Sequence, residues 1–328
     1  MALQDITLVI PTYKRQLYLK RIVSFYENYP IKLIIADGTE DFAWPGVDKL
    51  NKQITYLHLP GASINKRLIL AMSNVQTQYS ALLGDDEFQL PAGLKYSADI
   101  LNRDSSISSA IGRCVGFNVT KNGIVGGEIY GYKSKLYPNN LAKRIESFFL
   151  HYSPTTAYAL WKSADLFNAI NIACAEEWAS GNAFEIIQAF CGICSGNHQI
   201  HEVVQWLRSD EIPPQQAQLN RSLNITEWWR SDKFKNDRAK LVKLLRSLVC
   251  TTINCNSDQA DTLINLAFEF QIFSDYQNKN LISCGLKPKK YYNRSYNILL
   301  KNIMLDSKNY NKSEIDHLIN CIAMTHQH

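Results

Sequence analysis

The chain of 328 residues lacks any apolar run close to the roughly 18–20 residues that a membrane-spanning helix needs. Its first residues show neither a basic segment nor a cleavage site, so we expect no signal peptide and a cytoplasmic protein. The sequence contains no internal repeat and no low-complexity tract, which excludes repeat arrays and fibrous proteins. With 46% apolar and 20% charged residues, the composition is that of a soluble globular protein.

Cysteines are few for a chain of this length, which argues against a disulfide framework. All eight are therefore expected to be thiols. One cluster, Cys191, Cys194, His198 and His201, has the ligand types that suit zinc. Its spacing does not suit zinc, because a zinc finger separates its two ligand pairs by about a dozen residues or more. We therefore favour buried core cysteines over a zinc or redox site.

The formal net charge of +5 is unevenly distributed along the chain. Residues 1–210 carry 19 basic and 19 acidic side chains, whereas residues 211–328 carry 16 and 11. This asymmetry indicates a different role for the last third of the chain, such as contact with an anionic surface.

Buried strands and helical patterns alternate through the first hundred residues. The predicted strands lie in "ITLVIPTYKR", closed by Pro11, in "KLIIADGTE", ending at Asp37-Gly38, and in "ITYLHLP" and "QYSALLGDDEF". The predicted helices are "QLYLKRIVSFYENY", "GASINKRLILAMSNV" and "LPAGLKYSADILNRD". Continuous β-branched runs of this kind are typical of strands that are covered on both faces. The order predicts an α/β fold with a mostly parallel sheet and helices on both faces.

Further elements follow before a polar segment interrupts the pattern. We predict two strands around a turn in "AIGRCVGFNV" and "GGEIYGYKS", an apolar helix in "NAFEIIQAFCGICSG" and a late strand in "HQIHEVVQWLRS". The proline-bearing segment "EIPPQQAQ" predicts a domain boundary. We therefore expect a first domain over residues 1–212 and a helical domain over residues 213–328.

Polar side chains are predicted at the carboxyl ends of the strands, where open α/β sheets bind their ligands. They are Thr12, Tyr13, Lys14, Arg15, Asp37, Asp85, Asp86 and Glu87. Adjacent carboxylates suit Mg²⁺ or Mn²⁺, and Mg²⁺ commonly binds through one or two carboxylates plus substrate phosphates. Lys14-Arg15 and Lys66-Arg67 could hold the same phosphates. The alternative is a solvated acidic turn that caps the next helix.

Four segments within about residues 5–210 resemble glycosyltransferases of the GT-A fold, in particular a bacterial subgroup of family 2. They are "LVIPTYKR", "LIIADGT", "GASINKRLILAM" and "YSALLGDDEF". The resemblance implies a Rossmann-like, mixed but mostly parallel sheet with a nucleotide-sugar site and a helical region behind it. The residues that it assigns to the nucleotide are Pro11, Thr12, Tyr13, Arg15, Asp37, Lys66, Arg67 and Asp85.

The last of these segments departs from the family pattern. The family carries a DxD motif at this strand end, and Gly84 stands where the first aspartate is expected. The resemblance then makes Asp86 the metal ligand and directs Asp85 toward the nucleotide. Glu87 is left as a supporting or exposed group.

An inverting sugar transfer implies a catalytic base, because a carboxylate must take the proton of the attacking acceptor hydroxyl. In the family this carboxylate lies eleven positions before a helix-ending glycine, which indicates Glu185, eleven before Gly196. Glu177 and Glu176 are the alternatives. Glu185 could instead be a helix-start carboxylate that interacts with the helix dipole, and a retaining mechanism would need no such base.

The late strand contributes two further candidates. The resemblance places Arg208 at the diphosphate and His201 at the diphosphate or the metal. From spacing alone, a histidine in an alternating strand is more often structural. The nearby segment "HYSPTTAYALW" either lines the acceptor pocket with aromatic rings or forms a core strand.

The segment "NITEWWRSDKFKNDRAKLVKLLRSLVC" combines an apolar stripe with a basic face. Such a helix can pack on the first domain through its stripe. It can also lie on an anionic membrane surface with Trp228 and Trp229 at the interface. The segments beyond it predict the helices of a small bundle.

From these patterns and the resemblance we predict a metal-dependent, inverting glycosyltransferase. It would move a sugar from a nucleotide-sugar donor, first of all a UDP-sugar, to a glycan or lipid-linked glycan of a bacterial cell-surface polysaccharide or lipopolysaccharide. Peripheral contact with the inner membrane would suit such an acceptor, and no nucleic-acid partner is expected. One alternative is a nucleotidyltransferase, although "PTYKR" lacks the usual glycine-rich phosphate loop. The other is a non-catalytic GT-A-like binding module.

Overall fold

A computed structural model describes residues 3–130, 140–211, 225–283, 296, 298–307 and 309–325. The strands are β1 (Ile6–Thr12), β2 (Lys32–Asp37), β3 (Ile54–His58), β4 (Tyr79–Leu82), β5 (Phe88–Gln89), β6 (Ile107–Thr120), β7 (Gly123–Ile129), β8 (Leu160–Lys162), β9 (Asn197–Ser209) and β10 (Ile298–Leu299). The helices are α1 (Gln16–Tyr26), α2 (Ile64–Ser73), α3 (Pro91–Arg103), α4 (Leu141–Phe149), α5 (Ser163–Ala173), α6 (Gly181–Ser195), α7 (Ile225–Arg230), α8 (Lys235–Ile253), α9 (Ser257–Ser283), α10 (Leu300–Asp306) and α11 (Lys312–Ala323).

A central sheet organises these elements in the order β10-β7-β6-β8-β4-β1-β2-β3. In the half of the sheet that contains β4, β1, β2 and β3, strand β1 pairs in parallel with β2 and β4, and β2 pairs in parallel with β3. The second half is mixed: β6 is antiparallel to β7 and β8 but parallel to β9, which also pairs with β5. The strands predicted in the first hundred residues are confirmed, except that β4 ends at Leu82 and residues 83–87 of the predicted fourth strand lie outside it. Residues 131–134 of the predicted strand "GGEIYGYKS" lie outside the described ranges. The carboxyl ends of β1, β2 and β4 meet at one edge.

Two apolar cores lie on opposite faces of the sheet. Along β1, Val9 belongs to one core, whereas Leu8 and Ile10 belong to the other, as the alternation of side chains in a strand requires. Helices α2, α5 and α6 contribute to the first core and helices α1, α3 and α11 to the second. Because helices cover both faces of the sheet, the strands are continuous apolar runs. The prediction of helices on both faces is confirmed.

The C-terminal helices share both cores with the first two hundred residues. Buried side chains of α7, α8 and α9 belong to the first core and those of α10 and α11 to the second, while β10 extends the sheet beside β7. The predicted boundary segment falls mostly on residues outside the described ranges, so the division at residue 212 stays a prediction. The predicted helical character of the C-terminal region is confirmed.

The apolar stripe of α8 packs inward, as one of the two interpretations predicted. Trp228 and Trp229 are both buried, and the ring of Trp229 stacks on Phe268 at a centroid distance of 4.0 Å. The alternative placement of these tryptophans at a membrane interface is therefore wrong. Within the described ranges, no helix combines the length and the apolar character needed to cross a bilayer.

Candidate active site

The acidic turn after β4 is held by one guanidinium group. Arg15, at the start of α1, donates from Nη1 to Asp85 at 2.9 Å and from Nη2 to Asp86 at 2.5 Å. Asp85 is buried and also accepts a hydrogen bond from the Thr12 hydroxyl at 2.7 Å. Burial raises the pKa of Asp85, Arg15 lowers it and the charge of Asp86 raises it further. The residues predicted at the ends of β1 and β4 thus lie in direct contact.

Glu87 is buried rather than exposed, and its carboxylate folds back over Gly84. The indole Nε1 of Trp206 donates to Glu87 at 2.9 Å. A side chain at position 84 would place its Cβ 3.0 Å from the Glu87 carboxyl carbon. Burial, and then the charge of Asp86, raises the pKa of Glu87 to about 8. A carboxylate therefore occupies the space that a larger residue at position 84 would need.

A second arginine, which the sequence analysis did not single out, supports the turn from behind. The Nη2 atom of the fully buried Arg21 donates to the backbone carbonyl of Asp86 at 2.5 Å and to Glu211 at 2.8 Å. Its Nη1 donates to the Thr325 hydroxyl at 3.3 Å. Arg21 was missed because a cation within an amphipathic helix is ordinarily solvated.

Asp37 lies at the predicted edge, but its carboxylate is already fully hydrogen-bonded. One oxygen accepts from the backbone N–H and the hydroxyl of Thr39 at 2.8 and 2.6 Å. The other accepts from Tyr56 at 2.6 Å and from Gln16 at 2.9 Å. Burial opposes ionisation, but these hydrogen bonds lower the pKa of Asp37 overall. Asp37 therefore holds its neighbours in place as an ionised carboxylate.

Of the cationic pair on α2, only Arg67 reaches the strand ends. Its buried side chain donates to the backbone carbonyl of Thr12 and lies 5.8 Å from the Tyr13 ring centroid. Gly38 makes room for it, because a Cβ at that position would lie 2.8 Å from Arg67 Nε. Lys66 is instead exposed on the first turn of α2.

A cleft of about 330 Å³ opens beside the acidic turn. Its lining includes Pro11, Gly84, Glu177 and Glu185, so the structure brings the two candidate bases to the ends of β1 and β4. Burial raises the pKa of Glu185 to about 7, although the nearby guanidinium of Arg208 lowers it. A carboxyl group with this pKa can accept a proton at neutral pH.

The other candidate base, Glu176, is not among the described residues that line the cleft. Its carboxylate pairs with Lys240 of α8 at 3.0 Å. Its backbone carbonyl accepts a hydrogen bond from Asn65 at 2.9 Å, which fixes one residue of the cleft wall.

Stacked aromatic rings support the cleft wall. The Trp206 ring lies between Tyr158, at a centroid distance of 4.2 Å, and Tyr130, at 5.9 Å. Arg208 donates to the Tyr130 hydroxyl and lies 5.7 Å from its ring centroid. Tyr158 lines the cleft whereas Trp161 is fully buried, so "HYSPTTAYALW" contributes both to the cleft and to the core.

His201 is buried in the core, and it contacts Ser97 and Tyr96 rather than the carboxylates of the acidic turn. Its Nε2 is 2.9 Å from the Ser97 hydroxyl of α3, and its ring packs against Tyr96. Burial lowers the pKa of His201 to about 4, which keeps the ring neutral at pH 7. Cys191 and Cys194 are buried free thiols. These contacts favour the structural interpretation of the cluster, and they do not bring His201 to Asp86.

The carboxylates of the turn fit a hard divalent cation. Among the described residues, no group of three or more His, Cys, Asp or Glu side chains could hold a metal ion. Asp85 and Asp86 offer two carboxylates, which is the number that Mg²⁺ commonly takes from a protein when substrate phosphates complete its shell. The Arg15 guanidinium bridges the two carboxylates, so a bound cation would either share their oxygens with Arg15 or displace the guanidinium.

A larger apolar cavity of about 600 Å³ lies in the helical region. Its lining consists of Leu150, Thr226, Arg230, Glu269, Phe270, Ile272 and Phe273. None of the predicted site residues lies there, so the smaller cleft at the sheet edge is the candidate active site.

The described elements define an α/β fold with a candidate ligand site at the carboxyl edge of its sheet. No family model matches the chain, and no curated protein matches it in sequence. Among solved structures, S. aureus TarS 1–349 is similar with a TM-score of 0.52 at 11% identity, over 98% of this chain and 91% of that chain. The same fragment in complex with UDP-GlcNAc gives 0.51 at 12% identity, over 98% and 91%. In complex with UDP it gives 0.50 at 11%, over the same shares. At this identity the likeness shows the fold, and it confirms the predicted fold class.

Proposed function

We propose that this protein is a glycosyltransferase that moves a sugar from a nucleotide-sugar donor to the hydroxyl of a glycan acceptor. The observation that carries the proposal is the position of Glu185 in a cleft that begins at Gly84, beside Asp85 and Asp86. The fold is shared with a protein crystallised with UDP-GlcNAc and with UDP, which supports a UDP-sugar as the donor. The family-2 resemblance supports a bacterial cell-surface polysaccharide or lipopolysaccharide as the acceptor.

The acidic turn would receive the diphosphate of the donor. Asp86 and Asp85 would hold Mg²⁺ or Mn²⁺, which when bound neutralises the diphosphate as a leaving group. Arg15 contacts both carboxylates. When a cation binds the carboxylate oxygens in its place, the Arg15 guanidinium would pair with a phosphate of the donor. The exposed Tyr13 ring, beside Arg67, offers a face to the nucleobase.

Glu185 would act as the general base of an inverting transfer. The acceptor oxygen attacks the anomeric carbon as the bond from that carbon to the diphosphate oxygen breaks. The acceptor proton passes to the Glu185 carboxylate, and the nucleoside diphosphate leaves with the electron pair. General-base catalysis of this kind typically contributes about 10²–10⁴-fold to a rate.

Nucleotide binding tests the donor half of the proposal. We expect UDP with Mn²⁺ to raise the melting temperature of the wild type, because a ligand that binds only the folded state stabilises it. Asp86→Asn should lose most of this shift, whereas Asp48→Asn, on an exposed turn, should keep it. No shift with UDP, CDP or GDP would overturn the proposed function. An unchanged shift in Asp86→Asn would overturn the metal assignment alone.

Substitution of the base tests the catalytic half. We expect Glu185→Gln to lower transfer by about 10²–10⁴-fold while UDP binding is retained, because the amide keeps the shape but accepts no proton. Glu176→Gln is the matched control, since Glu176 pairs with Lys240. Loss of activity in Glu177→Gln with full activity in Glu185→Gln would move the base to Glu177. Full activity in both would contradict a carboxylate base in this cleft.

A further inference from the structure

The cleft beside Glu185 and the turn that it adjoins both carry carboxylates, but among the described residues only the turn holds a cation between them, that of Arg15. The described lining of the cleft includes two carboxylates, Glu177 and Glu185, but no Lys, Arg or His. From this charge pattern we infer that the acceptor end bound here is an uncharged sugar ring, and that acidic rings such as uronates are excluded. The inference rests on the proposed function and specifies the substrate class of the same site.

Three cations on elements around the cleft are engaged by other groups. Arg15 bridges Asp85 and Asp86, and Lys240 pairs with Glu176 at 3.0 Å. Arg208 bonds to the Tyr130 hydroxyl behind the aromatic wall. An acidic ligand would therefore meet the carboxylate of Glu177 and the ionised fraction of Glu185, and no Lys, Arg or His of the described lining would compensate its lost hydration.

The aromatic side chains of the cleft suit the apolar face of a sugar ring. Tyr158 is fixed by stacking on Trp206, and Trp178 is fixed by a hydrogen bond from its Nε1 to the Ala173 carbonyl at 2.6 Å. Aromatic rings held in this way present large contact areas at little entropic cost. The carboxylates of Glu177 and Glu185 can accept hydrogen bonds from sugar hydroxyls.

The size and position of the cleft favour the acceptor over the donor. Its volume of about 330 Å³ is at the lower end of small-molecule sites. The diphosphate of the donor is anionic and would pair with Arg15 and a cation at Asp86, next to Gly84 in the turn. The two substrates would thus meet at Gly84, which lines the cleft.

Binding of matched sugars to the full chain with UDP and Mg²⁺ tests the inference. Saturation-transfer NMR would compare methyl glucoside, methyl galactoside and methyl N-acetylglucosaminide with methyl glucuronide, which carries a carboxylate. We expect at least one uncharged ring to bind at least tenfold more tightly than the glucuronide. Equal or tighter binding of the glucuronide, or binding of no uncharged ring, would overturn the inference.

A charge reversal at the rim provides the second arm. Glu177 is exposed, so Glu177→Lys is expected to fold, and it should raise the relative affinity for the glucuronide about tenfold. Glu146→Lys makes the same charge change on an exposed position of α4 outside the cleft lining, and it should leave the ratio unchanged. An unchanged ratio in Glu177→Lys would contradict the inference. The melting-temperature shift with UDP, measured on the same samples, distinguishes failure of this inference from failure of the proposed function. If UDP gives no shift in the wild type, the proposed function itself is contradicted.

Discussion

Glu185 illustrates how one side chain takes its chemistry from its surroundings. It lies near the start of α6 in a wall formed by Tyr158, Trp178 and Leu83. Desolvation there disfavours the charged carboxylate and raises its pKa to about 7, whereas Arg208 acts in the opposite direction. A base is most effective when its pKa lies near the working pH, so this environment suits proton acceptance at neutral pH.

The pH dependence of transfer follows from this pKa. Below pH 7 Glu185 is mainly protonated and accepts no proton, so we expect kcat/KM to rise as the pH increases through about 7. The same shift has the opposite sign for stability. The folded state binds this proton more tightly than the unfolded chain, so the free energy of unfolding falls as the pH rises from the ordinary carboxyl pKa of 4.5 to about 7. A pH–rate profile of the wild type measures the first effect.

The residual activity of Glu185→Gln provides the control for that profile. If Glu185 is the titrating base, the rise near pH 7 should be absent in this variant. A wild-type profile that is flat or falls through pH 7 would contradict the assignment.

At the scale of single residues, the sequence placed the polar groups but not their partners. Thr12, Asp37 and Asp85 were predicted at strand ends, and they lie there. Nothing in the pattern indicated that Asp37 would be saturated by hydrogen bonds or that Glu87 would fold over Gly84. Those outcomes depend on Tyr56 and Trp206, which come from distant parts of the chain.

At the scale of elements, the seating of α6 depends on a missing side chain. A Cβ at Gly192 would lie 2.2 Å from the ring of Trp161 on β8. The absence of that carbon lets α6 approach the sheet closely, and the same helix carries Glu185 near its other end. The pattern "AFEIIQAFCGICSG" predicted an apolar helix but could not reveal this contact, because Trp161 belongs to another element.

We expect Gly192→Ala to destabilise the fold by about 1–3 kcal/mol, because the new methyl group overpacks the contact with Trp161. Helix propensity alone would favour alanine by about 1 kcal/mol, so the sign of the effect is diagnostic. The free energy of unfolding in urea measures it. Ser195→Ala, at an exposed position of the same helix, is the matched control and should be near neutral. A stabilised Gly192→Ala would contradict the close contact.

At the scale of the whole molecule, Arg21 joins three distant regions of the chain. It connects the turn at Asp86, Glu211 two residues beyond β9, and Thr325 two residues beyond α11. The Nη1 and Nη2 atoms of this buried guanidinium are hydrogen-bonded, its Nε has no hydrogen-bond partner among the described residues, and the rings of Tyr18 and Phe88 lie against its face. The C-terminal helices are thereby connected to the proposed nucleotide site.

Arg21→Met is expected to lower the free energy of unfolding by about 3–5 kcal/mol, because it removes one partner of the buried ion pair between Arg21 and Glu211. The double variant Arg21→Met/Glu211→Gln should recover part of that loss. If Arg21 also positions the turn, the double variant should still bind UDP more weakly than the wild type. Wild-type UDP binding in a stable double variant would restrict Arg21 to a structural role. Chemical denaturation and UDP titration provide the two measurements.

The sequence by itself determined the α/β class, the strands and helices of the first two hundred residues, and the sheet edge at which polar groups gather. These features follow from local periodicity and from the rule that parallel strands end together. The tertiary structure decided what each polar group does. In the folded chain Arg15 contacts both aspartates, and Trp228, Trp229 and His201 are buried. Glu185 and Gly84 line the same cleft. Such contacts join residues far apart in the chain, so packing rather than local pattern selects them.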